Sequence, residues 1–262
     1  MSAKVRVGVI GAGRIGRLHL ENLACRIPEA DVVAISDVSV DAAEKCATDF
    51  GISTVERDYR AVLENRDIEA VAICSSTDTH AQMMIEAAAH GKHIFCEKPI
   101  ALDLGLIAKA LEAVRNSGVK LQIGFNRRFD SNHLKIWKLI REGKIGDPHI
   151  LRITSRDPAP PPIGYIKVSG GIFLDMTIHD FDMARFFLGD IVEVSAFGTN
   201  ADEEIKAAGD FDQAMVLLRN ADGALATIVN SRTCAYGYEK RLEAFGADGA
   251  LSADNLTATS VR

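Results

Sequence analysis

The run VRVGVIGAGRIG, residues 5–16, restricts the possible folds more than any other stretch of the chain. VRVGVI reads as a strand because Val and Ile fit a pleated, buried surface. GAGRIG follows at once and opens a helical pattern over 14–26. A strand that ends on G-x-G-x-x-G and turns directly into a helix has the form of a dinucleotide-binding βαβ unit. Its glycines permit a tight turn and close backbone approach to a pyrophosphate, which the helix N-terminus attracts. Gly11, Gly13, Arg14, Ile15 and Gly16 are therefore candidate cofactor contacts. A second strand, VVAISD, ends on Asp37, about 20 residues beyond the last glycine. A carboxylate there can accept from an adenosine ribose diol and repels a 2′-phosphate, which favours NAD over NADP.

The alternation continues. Strands read at 70–74, 93–97 and 120–125 are interleaved with amphipathic helical patterns near 41–50, 58–65, 78–90 and 103–117. Unbroken apolar strands alternating with helices imply a doubly wound parallel sheet covered on both faces. Ligands of such sheets bind at the carboxyl ends of the strands. Ser75, Ser76 and Thr77, at the end of the third of these strands, should face the cofactor, and so should Glu97 and Lys98 after the fourth.

The pattern changes after Phe125. A helix at 131–142 leads to the strand PHILRITSRD, and then to a loop with four prolines, DPAPPPIGYIKVSGG. Next comes GGIFLDMTIHDFDMARFF (170–187), a helix that is apolar all round and so should be buried. It nevertheless carries Asp175, His179 and Asp182 within one narrow stripe. The remainder reads as strands separated by turn signals such as NADG, the mark of a mainly antiparallel open sheet. Two domains are expected: a nucleotide-binding one at 1–125 and an α+β substrate-binding one at 126–262.

A formal net charge of −6 argues against a nucleic-acid or anionic-membrane binder. No apolar run approaches the roughly 20 residues of a membrane span. MSAKVRVGVIGAG is too short in its apolar part for a leader peptide. The five cysteines are odd in number and lack C-x-x-C pairing, which suggests reduced thiols in a cytoplasmic protein and no zinc site.

VGVIGAGRIGRLH, the T-x-x-H of STDTH, CEKP (96–99), GFNRRFD (124–130), SRDPAPPPIGYIKVSGG and FLDMTIHDFDMARF together resemble the glucose–fructose oxidoreductase/inositol dehydrogenase (Gfo/Idh/MocA) family of sugar and polyol dehydrogenases. The last three segments look most like bacterial inositol 2-dehydrogenases. The resemblance covers nearly the whole chain. It implies that Lys98, Asp175 and His179 are catalytic, that His80 joins the cofactor contacts, and that Arg127, Asp157, Asp182 and Tyr238 help to hold a polyol. It implies a homo-oligomer, a tetramer by family analogy. It also implies a truncated C-terminus: members usually run well past 300 residues, with a long helix and a returning segment after the strand that GALSAD forms here. Such an enzyme would oxidise a secondary hydroxyl of a cyclitol, myo-inositol foremost.

The chemistry suits these residues. Alcohol oxidation needs a base for the hydroxyl proton while hydride leaves carbon for the nicotinamide. A histidine suits that role because the unperturbed imidazole pKa lies near neutrality; Asp175 can orient His179, and Lys98 can steady the reacting oxygen. A cis Lys98–Pro99 bond is compatible with the motif. The polar stripe would then face a ligand cleft between the domains. Other readings of the same residues are a structural Asp–His pair, a metal pair lacking further ligands, a solvated GFNRRFD turn and a rigid proline connector. Another cyclitol, sugar or sugar acid is an alternative substrate, and a non-catalytic nucleotide sensor is an alternative of a different class.

Overall fold

The computed structural model describes residues 3–255, so the closing SVR lies outside them. The chain forms two compact units, Met1–Gly124 and Phe125–Arg262, each with its own sheet and core.

In the first unit the chain runs β1 (Val5–Ile10), α1 (Arg14–Cys25), β2 (Ala30–Ser36), α2 (Val40–Phe50), β3 (Thr54–Glu56), α3 (Tyr59–Glu64), β4 (Ala70–Ile73), α4 (Thr77–Ala89), β5 (His93–Cys96), α5 (Leu104–Ser117) and β6 (Leu121–Ile123). All six strands are parallel, in the order β3-β2-β1-β4-β5-β6. The chain direction across the sheet reverses between β1 and β4, the place where doubly wound sheets bind nucleotides. Successive residues of a strand point to opposite faces. Val9 accordingly packs with Leu20, Ile35 and Ala43, whereas Ile10 packs with Ile73, Met84 and Ala110. Both faces are covered, as the unbroken apolar strands require. The sequence reading finds five of these strands and misses β3, whose three residues TVE are too short and too polar to signal a core strand.

The second unit begins with a 3₁₀ turn, Asn126–Phe129, and α6 (Ser131–Arg141). Asp130 caps α6, accepting from the backbone N–H groups of Asn132 and His133 at 2.9 and 3.1 Å. There follow β7 (Pro148–Arg156), α7 (Ile163–Ser169), a π-helical turn (Phe173–Thr177) and α8 (Ile178–Leu188). The chain ends through β8 (Ile191–Thr199), α9 (Glu203–Ala207), β9 (Gln213–Asn220), β10 (Leu225–Ser231), β11 (Glu239–Gly246) and β12 (Gly249–Ala253).

This sheet has the order β12-β11-β7-β10-β9-β8 and is antiparallel except for the β7–β10 pair. A parallel pair needs a crossover; here it includes α7 and α8, and local turn signals cannot announce it. One face carries Leu151, Ile153, Val216, Ala226, Ile228 and Leu242 against Ile136, Met183, Ala184 and Phe187 of the helices. On the opposite face Phe197 pairs in register with Met215, and Ile150 with Phe245. Phe197, Met215 and Phe245 are exposed there.

Two local expectations need correction. The proline loop is not loop throughout: IGYIKVS forms α7, which starts immediately after Pro162 because that residue's fixed φ suits a helix entry. The stretch 170–187 is not one regular α-helix either. The Phe173–Thr177 segment is π-helical, and the Thr177 hydroxyl oxygen lies 3.2 Å from the Ile172 carbonyl five residues back. A uniform 100° wheel therefore misplaces side chains through this turn. Among the described residues, no helix is long and apolar enough to cross a membrane.

Candidate active site

The three glycines of GAGRIG have three different reasons to be glycine. Gly11 has φ +106°, and a Cβ there would lie 2.6 Å from the Cys74 carbonyl oxygen. A Cβ on Gly16 would lie 1.9 Å from the Gly11 carbonyl, so this residue permits close packing of helix on turn. A Cβ on Gly13 would meet no protein atom within 4 Å. The fold itself makes no use of that vacancy, and it opens at the N-terminus of α1, where a pyrophosphate binds in such units. Gly13 is the N-cap, and no side chain caps the helix. Arg14 is exposed and Ile15 half-buried at the same end.

Asp37 follows β2 and holds this loop. Its carboxylate accepts from the Ala12 N–H at 2.6 Å and from the Ser39 N–H at 2.8 Å. Further lone pairs remain for a ribose diol. Ser75, Ser76 and Thr77 do not end a strand, since β4 stops at Ile73; Ser75 is in the connection, Ser76 caps α4 and Thr77 begins it. Ser76 takes the N-cap position with an extended backbone, and its side chain makes no capping hydrogen bond.

His80 is 2 % exposed, and its ring nitrogens lie 2.8 Å from the Pro99 carbonyl and 3.1 Å from the Ser75 carbonyl. Its place is beneath the loops, tying the EKP turn to the Ser75 turn, and not on their surface. The Lys98–Pro99 bond is cis, and Lys98 is half-buried. Glu97 accepts from the Lys98 N–H at 3.2 Å, and His19 Nε2 lies 2.7 Å from its other oxygen. Gly124 leaves room for that carboxylate, which would be 2.9 Å from a Cβ. Burial, reinforced by the Glu97 charge, raises the thiols of Cys74 and Cys96, the latter to about 12. They stay protonated and unreactive at neutral pH.

In the second unit, the π turn and α8 present the other candidates. Asp175 accepts from the Tyr165 hydroxyl at 2.9 Å and from the Arg232 guanidinium at 3.3 Å. His179 is half-buried, its ring edge-on to Phe125 at 6.5 Å between centroids. Asp182 is gripped by Arg128 through both oxygens, at 2.7 and 2.5 Å. Arg127 pairs with Asp180 and donates to Ser155 at 2.9 Å. Asp157 accepts from Lys240 at 2.9 Å, and Lys240 also lies over the exposed Tyr238 ring at 5.7 Å.

Asp180, which the sequence reading passes over, is wholly buried. Ser155 and Asn230 donate to it at 2.8 and 2.7 Å, and Thr177 donates to Asn230 at 2.6 Å. Such a charge is tolerable only because a cation and two neutral donors satisfy it. His19, Tyr165, Asp180 and Arg232 are the site residues that sequence reasoning misses. Asp180 alone had a signal, a carboxylate on a helix that is otherwise apolar on that side. Among the described residues, no group of three or more His, Cys, Asp or Glu side chains is arranged to hold a metal.

Comparison with known proteins decides the relationship. Residues 5–125 match the oxidoreductase family with an NAD-binding Rossmann fold, and residues 133–252 match the GFO/IDH/MocA C-terminal domain. The chain belongs to the Gfo/Idh/MocA oxidoreductase family. A relative from Thermotoga maritima, named myo-inositol 2-dehydrogenase, is 50% identical over 98% of this chain and 77% of its own. A myo-inositol dehydrogenase structure from Corynebacterium glutamicum superposes with a TM-score of 0.92 at 44% identity, covering 99% of this chain and 78% of that one. A scyllo-inositol dehydrogenase from Lactobacillus casei, solved with NAD(H) and scyllo-inositol, gives a TM-score of 0.89 at 34% identity over 95% and 76% of the two chains. The open space at Gly13 and the carboxylate at Asp37 fit the NAD that this family's first domain binds.

Proposed function

We propose that the protein is an NAD-dependent inositol 2-dehydrogenase that oxidises a secondary hydroxyl of a cyclitol, with myo-inositol the leading substrate. The carrying observation is the 50% identity over 98% of the chain with an enzyme of that name. The same reaction on scyllo-inositol is the second reading, supported by the Lactobacillus casei structure.

Gly11, Gly13, Arg14, Ile15 and Gly16 receive the pyrophosphate, Asp37 the adenosine ribose, and the Ser75–Thr77 and Glu97–Lys98 turns flank the dinucleotide. Bound NAD supplies the hydride acceptor. His179 takes the hydroxyl proton, and Lys98 stabilises developing negative charge. Asp175 orients the imidazole and the polyol. Asp157 and Tyr238 add directional contacts to the polyol. Arg127 and Asp182, already engaged by Asp180 and Arg128, shape the polyol site from behind. His80 supports the Ser75 and Pro99 turns.

The uncovered apolar face of the second sheet, with Phe197, Met215 and Leu217, supports assembly into a homo-oligomer, a tetramer. Cys46, Cys74, Cys96 and Cys234 are buried, Cys25 is exposed and none is bridged, which suits the cytoplasm. The test is an NADH-absorbance screen of the purified protein over inositol isomers, aldoses and sugar acids. Rapid NADH formation with myo-inositol is the expected result. Tight NAD binding with flat traces on every polyol would replace this reading with a nucleotide sensor.

A further inference from the structure

A buried arginine stands behind the proposed Asp175. Arg232 follows β10, and only 2 % of its side chain is exposed. A guanidinium at that depth is tolerated only when paired. It has two carboxylates, Asp175 and Asp210, each at 3.3 Å.

Neither partner is incidental. Asp210 accepts the Ile172 N–H at 2.9 Å, at the start of the helical run that carries the site. It also lies against Gly171, whose φ is +76° and where a Cβ would come 2.6 Å from the carboxylate. Asp175 uses one oxygen for Arg232 and the other for the Tyr165 hydroxyl. The arginine is itself anchored, because its backbone N–H donates to the Asp212 carbonyl at 2.8 Å. The Asp212 side chain is buried in turn and accepts from the N–H groups of Ala201 and Asp202.

We propose that Arg232 is a positioning residue for alcohol oxidation: its buried guanidinium bridges Asp210 and Asp175 and so sets the π turn that presents Asp175 beside His179. It acts through Asp175, being too buried to meet a substrate. The planar fork is what the task needs, since it can serve two carboxylates at once, whereas an ammonium is a point charge on a flexible stem. Without the cation, Asp175 and Asp210 would repel each other and Asp175 would lose its bearing.

The inference rests on the dehydrogenase reading, and the wild-type protein tests that reading separately. The experiment measures kcat, KM for myo-inositol, KM for NAD and Tm on wild type, Arg232→Gln and Arg232→Lys. Misplacing a catalytic group costs rate steeply, so Arg232→Gln should lower kcat roughly tenfold or more. KM for NAD should stay within roughly twofold. Arg232→Lys, which keeps the charge, should recover part of the loss. If Arg232→Gln does not fold, Arg232→Lys decides alone: a reduced kcat at near-wild-type Tm and KM for NAD sustains the role. Wild-type kcat in the folded variants, with only Tm lowered, makes Arg232 a purely structural ion and overturns the proposal. Failure of the wild type to reduce NAD with any polyol would overturn the dehydrogenase reading instead.

Discussion

The Ala12 N–H donates to the Asp37 carboxylate at 2.6 Å, so one side chain both holds the glycine loop and marks the end of the second strand. The same negative charge would repel a 2′-phosphate. NAD should therefore exceed NADP in kcat/KM. Asp37→Ser should narrow that ratio by about tenfold, equivalent to ~1.4 kcal/mol. It should also lower Tm, because the loop loses its carboxylate anchor. Equal use of both cofactors by the wild type would refute this assignment.

Lys98 follows a glutamate whose carboxylate accepts its backbone N–H and lies against His19. If its ammonium steadies the reacting oxygen, Lys98→Ala should lower kcat by about 10²-fold. NAD affinity, measured by titration, should change much less. A variant with near-normal kcat would make Lys98 an ordinary surface lysine.

His179 must be neutral to accept the alcohol proton. Oxidation should fall on the acid side as the imidazole is protonated, giving a limb in kcat/KM. A neighbouring negative charge favours the imidazolium, so Asp175→Asn should move the limb to lower pH. His179→Ala should remove the limb and most of the rate while NAD binding persists. An acid limb that survives in His179→Ala would rule His179 out as the base.

The two arginine–aspartate pairs whose carboxylates follow His179 in sequence should differ in their energetic weight. Asp180 is wholly buried, and removing it strands Arg127, Ser155 and Asn230. Asp180→Ala should cost about 3–5 kcal/mol, the scale for breaking a buried pair. Arg128, by contrast, is 40% exposed and can turn to water. Asp182→Ala should cost roughly 1 kcal/mol. Denaturant melts of both variants check the order; equal losses would contradict it.

His133 supplies a pH test of stability. Burial lowers its pKa below the ordinary 6.5; Asp130 opposes the shift, and Arg127 reinforces it. The unfolded chain therefore binds this proton more readily than the folded one. The contribution to stability is full above pH 6.5 and declines as pH falls below it, by at most about 1.4 kcal/mol per unit. His133→Leu keeps the site apolar and should flatten the acid side of the stability curve. An unchanged slope would show that His133 does not contribute.

The first unit was legible almost throughout in the sequence because its signals are local. Unbroken apolar runs, helix patterns and G-x-G-x-x-G each lie within about a dozen residues, and parallel order follows from their alternation. Asp37 stood out as a carboxylate about 20 residues beyond the glycines, whereas Lys98, Asp175 and His179 were named through the family resemblance of CEKP and FLDMTIHDFDMARF. Tertiary structure decided what contacts distant in the chain decide. The β7–β10 pair joins strands about 70 residues apart, and the π turn departs from the regular period on which the wheel depends. Tyr165 and Arg232 reach Asp175 from 10 and 57 residues away, and Asn230 reaches Asp180 from 50. No periodicity links such residues. A buried charge selects its partner by what the folded chain brings within hydrogen-bond reach, because an unpaired one would cost more than the fold can supply.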